Sequence, residues 1–165
     1  MAELARTPGP LRQMFQLIDM APEPHDSVVA EALATWHERR GTELTPQARD
    51  LRGDANAAVR AGSFLASALA GRTDFALSQV GEEAARCLGL SPAEHRLSAA
   101  TQLRIAARLR RLFTLVLDYG EPVLGRFGEV HGHAGPCEME VLAAPIILEG
   151  GDTGVFCALS SGGGH

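Results

Sequence analysis

The sequence predicts an α+β domain built on an antiparallel sheet, and three observations predict it. A strongly amphipathic helix lies within TQLRIAARLRRLFTLVLDYG, three β-compatible runs follow it across glycine-rich turns, and two shorter β-capable runs precede it with small helical segments between. In the long helix Leu103, Ile105, Leu109, Leu112, Phe113, Val116 and Leu117 recur at helical spacing, so one face is expected to be buried. Gly120 followed by Pro122 supplies the stop, near Tyr119. EPVLGRFGEV, GPCEMEVLAAPIIL and GVFCALS then read as a three-stranded meander packed beneath the helix, with HGHAG and EGGDT as turns.

Composition narrows the functional classes. At 165 residues the chain fits one domain, large enough to bury a core without disulfides or metal. A net charge of −5 argues against a nucleic-acid partner. All 15 basic residues are arginine, which reads as codon bias and leaves no lysine for Schiff-base or phosphate-loop chemistry. Cys87, Cys137 and Cys157 are odd in number and lack CxxC spacing, so neither a disulfide framework nor a zinc ribbon is indicated. The amino terminus lacks a signal-peptide pattern, and no apolar run approaches the roughly 20 residues of a spanning helix. A cytoplasmic location away from membranes is expected.

Residues 1–26 read as an arm containing a short amphipathic helix, with Leu11, Met14, Phe15 and Ile18 on one face and Pro22 and Pro24 ending it. The main domain is expected over 27–160, with 161–165 as a disordered tail. SVVAEALATWHERRG predicts a helix capped by Ser27 and stopped by Gly41, its apolar stripe formed by Val29, Leu33 and the packing anchor Trp36. TPQARDL predicts a short helix with Thr45 as cap and Pro46 in its first turn, and RGDANAAVRAG an irregular connector. SFLASAL and TDFALSQV read as a hairpin turning at Ala70, Gly71 and Arg72, with Phe75 and Leu77 on one face. GEEAARCLGL and SPAEHRLS read as two short helices, the second capped by Ser91.

That element order resembles a PAS domain, and the segments ATWHERRG, LTPQARDL, DFALSQVGEEAARCLGLS, DYGEPVLGRFG, PCEMEVLAAPIIL and GVFCALS resemble the bacterial PAS family common in alphaproteobacteria. The resemblance covers roughly residues 27–160. It implies a five-stranded antiparallel sheet with the small helices and the long helix on one face, and a sensory or regulatory role rather than catalysis. With no kinase, cyclase or DNA-binding segment in the sequence, the signal is expected to leave through a protein partner or a homodimer.

The resemblance also places any ligand between the inner sheet face and those helices. The candidate lining is Phe75, Leu77, Leu88, Leu90, His95, Met139, Val141, Val155 and Cys157, around a small apolar molecule or a filled core; the cofactor is left unknown. His95 is the nearest candidate for a haem ligand, whereas Cys87 in AARCLGL lacks the asparagine and arginine neighbours of the flavin photosensors. His131, His133 and Cys137 in HGHAGPC would coordinate a metal only if the turn brought them together; solvated histidines are the simpler reading. Arg104, Arg108 and Arg111 form a row suited to an acidic partner or a phosphorylated nucleotide, or else a solvated face. Glu138 and Glu140 are expected on the solvent side of their strand, blunting aggregation. The alternative from another class is a small-ligand enzyme or carrier using Asp74, His95 or Asp118 as polar groups.

Overall fold

The computed structural model describes residues 24, 26–53, 56–91, 93–132 and 135–161, with only the backbone described for 52–53, 128–132 and 135–138. The expected amphipathic helix in 11–20 and the tail from 162 onward lie outside the described residues. In chain order the elements are α1 (Ser27–Arg40), α2 (Ala48–Gly53), α3 (Ala57–Ala61), β1 (Ser63–Ala68), β2 (Phe75–Ser78), α4 (Glu82–Leu88), α5 (Leu103–Tyr119), β3 (Val123–Gly132), β4 (Gly135–Ile147) and β5 (Thr153–Ser161). Short 3-10 turns occupy Ala70–Arg72 and Leu97–Ala99. The fold is α+β, with one antiparallel sheet in the order β2-β1-β5-β4-β3.

Strand periodicity divides the core in two. On the inner face Phe64, Ala66, Phe75, Leu77, Val123, Phe127, Met139, Val141, Ala143, Val155, Cys157 and Leu159 meet α4 and α5. The intervening residues Leu65, Leu124, Leu142, Ala144, Ile146, Phe156 and Ala158 meet α1, α2 and α3 on the other face. Both faces are therefore covered, which explains why β4 and β5 read as nearly continuous apolar runs.

The long helix buries its stripe from Ile105 to Val116, with Leu117 half-buried, but Leu103, expected on the same face, is 72% exposed at the helix start. The helix ends at Tyr119, where Gly120 takes a left-handed conformation (φ 69°). Gly125 lies where the helix approaches β3: a Cβ there would stand 3.3 Å from Leu112 Cδ1, so that side chain would have to give by a few tenths of an ångström. Gly89 (φ 70°) ends α4 and turns the chain so that Gly89 and Leu88 carbonyls accept from the Thr101 and Gln102 amides, which seats α5 on α4.

Four local expectations are corrected. Asp26, not Ser27, caps α1: its carboxylate accepts from the Val28 and Val29 amides at 2.8 and 3.3 Å. The α2 helix starts at Ala48 rather than beside Thr45, because the Pro46 carbonyl accepts from Ile147 N and Gln47 bridges that strand end. The connector holds a helix, α3, opened by Asn56, whose side chain accepts from Val59 N at 2.8 Å. SPAEHRLS is not a helix around His95: the His95 carbonyl accepts from Leu77 N at 2.7 Å and Arg96 bridges Ala76, so this segment pairs with the β2 edge.

Candidate functional site

The inner core gathers eight of the nine predicted lining residues. Phe75 and Leu77 enter from β2, Leu88 from the last residue of α4, Leu90 just beyond Gly89, Met139 and Val141 from β4, and Val155 and Cys157 from β5. All belong to one contiguous apolar cluster roofed by Ile105, Leu109, Leu112, Phe113 and Val116 of α5. Phe113 stands at its centre, edge-on to Phe64 (centroids 6.0 Å apart) and to Phe75 (5.2 Å). Burial pushes the Cys157 thiol well above its ordinary value, so it stays protonated and behaves as a small apolar group. The eight residues form a packed apolar core that carries no charge.

His95 is the exception. Its side chain is exposed and it does not join the cluster, because its backbone is spent on the β2 edge. The candidate haem ligand is thus a surface histidine and not part of the interior lining, a correction to its place in the candidate set. The half-buried Cys87 packs against the inner cluster from α4.

Compared with protein-family models, curated proteins and solved structures, the chain matches none.

The outer face holds a polar cluster that was not anticipated. Glu140, expected in solvent, is only 6% exposed. It accepts from the backbone N–H of Asp26 at 2.9 Å through one oxygen, while the other lies 3.5 Å from the Arg126 guanidinium. Asp26 in turn accepts from the Ser160 hydroxyl at 2.9 Å. One carboxylate therefore caps α1 and ties it to β5, and a second ties the same turn to β4 and β3. Farther along α1, the indole N–H of Trp36 donates to the Pro145 carbonyl at 2.7 Å, and the Arg40 guanidinium covers its ring at 5.3 Å. Trp36 is the packing anchor its spacing predicts, 1% exposed.

The polar groups of the enzyme alternative are engaged at the surface. Asp74 accepts from the backbone N–H groups of Phe75 and Ser98 and from the Ser98 hydroxyl at 2.5 Å. Burial alone would raise the Asp74 carboxyl, but those hydrogen bonds and the nearby Arg96 charge together hold it below the usual carboxylate value. Asp118 pairs with Arg72. The metal hypothesis falls on His133 and on the side chains of His131 and Cys137, which lie outside the described residues. Among the described residues no group of three His, Cys, Asp or Glu side chains could hold a metal ion, and no helix is long and apolar enough to cross a membrane.

Proposed function

We propose that this chain is a PAS-type sensory or regulatory domain of the cytoplasm, acting by binding rather than by chemistry, through a protein partner or a homodimer. The observation that carries the reading is the closure of the sheet. β5 returns to pair with β1 in the register Ser63 to Ala158 through Ala66 to Val155, joining the meander to the opening hairpin beneath α4 and α5. The resemblance implies that arrangement, and the convergence of eight lining residues under α5 supports an apolar small molecule as the modulating ligand. A ligand that favours one packing of α5 on the inner face shifts strands whose alternate side chains carry α1 on the other face, and so changes the surface offered to a partner.

Native mass spectrometry of freshly purified protein, set beside its denatured mass, tests this. A retained extra mass, or a dimer whose size changes in light scattering when residues 1–24 are deleted, is the expected result. A bare monomer unaffected by the deletion overturns the retained-ligand and homodimer readings and leaves a separate protein partner as the only route for the signal.

A further inference from the structure

We propose that the outward face of α5, carrying Arg104, Arg108 and Arg111, is the docking surface for an acidic amphipathic segment of a partner protein. This deepens the regulatory reading above and rests on it. The three arginines fall at i, i+4 and i+7 on one helix, and Arg104 and Arg111 are exposed. Elsewhere Arg72 pairs with Asp118, Arg86 with Glu83 and Arg126 with Glu140; among the described residues Arg40, Arg96 and Arg110 also have no ion pair, but they form no row on one exposed helix face. Among the described residues none of Arg104, Arg108 and Arg111 has an ion-pair partner, and Arg108 lies over the Phe127 ring at 5.4 Å.

The charges also oppose what the helix itself favours. The first turn of α5 holds no acidic residue and contains Arg104, and the last turn holds no basic residue and contains Asp118. The helix dipole prefers the reverse, so this row does not serve the stability of α5. Beside it stands Leu103, 72% exposed, with Ala107 also exposed. A basic row flanked by an uncovered leucine matches glutamates at the same helical spacing beside one apolar residue.

Other occupants fit less well. At about 1.5 Å of rise per residue the row spans roughly 10 Å, and three guanidinium groups on a protein of net charge −5 are a small footprint for a nucleic acid. A second copy docked symmetrically on this face would set the arginine row against itself.

The probe is a fluorescent helical peptide of roughly 18 residues with glutamates at i, i+4 and i+7 beside leucine, compared by anisotropy with its glutamine counterpart. The wild-type chain is expected to prefer the glutamate peptide about tenfold or more, with affinity falling as salt rises. R104E/R108E/R111E abolishes that preference; R104Q/R111Q, which leaves Arg108 on Phe127, reduces it with the fold intact by circular dichroism. Equal binding of both peptides, no loss in R104Q/R111Q, or tighter binding of a single-stranded oligonucleotide overturns the proposal. So does self-association that R104Q/R111Q abolishes while peptide binding is absent, which would give the face to a second copy. The peptide assay requires neither a retained ligand nor a dimer, so a bare monomer that still binds the peptide rejects the ligand and dimer reading alone.

Discussion

The inner face of the sheet is covered by α4 and α5 through apolar side chains, whereas the outer face is held to α1 by directed hydrogen bonds as well as by apolar contact. Inside, Phe64, Phe75 and Phe113 interlock within a cluster in which burial keeps the Cys157 thiol neutral. Outside, Asp26, Glu140, Ser160 and the Trp36 indole fix where α1 begins and how it lies across β4 and β5. The difference matters for function. Non-directional packing lets a cover be lifted slightly or refilled with a ligand, while hydrogen bonds specify one position and are lost as units.

That contrast can be broken most sharply at Phe113. F113A empties the centre of the inner cluster and is expected to cost about 3–5 kcal/mol in urea unfolding. If the inner face tolerates refilling, benzene or a similar small apolar compound should raise the thermal midpoint of F113A and not that of the wild type. Next in size is Glu140. E140A leaves the Asp26 amide and the Arg126 guanidinium facing an empty space, at about 2 kcal/mol, whereas E140Q keeps an acceptor for the amide and should cost about half as much. Equal losses in the two variants would mean that the carboxylate acts through packing rather than through its hydrogen bonds.

The smallest effect is expected at Asp74, which belongs to neither covered face. Its carboxyl is held below its ordinary value in the folded chain, so the stability it supplies is fully present above the unfolded value and fades as pH falls through the lowered one. D74N should therefore flatten the acid limb of a plot of thermal midpoint against pH between about 5 and 2. Glu83, lowered chiefly by its hydrogen bond with Arg86, titrates in the same direction, so E83Q is the control that separates the two. An unchanged slope in D74N would show that the Ser98 contact does not survive in solution.

Much of this architecture was legible because strong periodicity leaves little choice. The stripe from Ile105 to Val116 predicted the buried side of α5 and alternation predicted that of β2, whereas for β4 and β5, apolar on both faces, the inward residues came from the resemblance. What was lost depended on partners far away in the chain. SPAEHRLS carries acceptable helix-start chemistry, but an unpaired edge of β2 claims its backbone. Glu140 looked solvated because charged residues usually are; the signal to the contrary was its parity with Leu142, Ala144 and Ile146, which faces a surface that α1 covers. Asp26 is as good a cap as its neighbour Ser27, and only the register of Glu140 and Ser160 decides between them. Asn56 was the local signal for α3 and was readable from its residue type alone.

The anchoring of α1 also sets a timetable for synthesis. Its hydrogen bonds from Trp36 to Pro145, from Asp26 to Glu140 and from Ser160 to Asp26 span 109, 114 and 134 residues. At about 5–20 residues per second, α1 leaves the ribosome roughly 5–27 s before the strands it docks on exist. Among the described helices it is the first to be made and cannot be placed until β4 and β5 have paired, so through that interval Trp36 and its apolar neighbours are open to whatever chaperone or nascent chain meets them first.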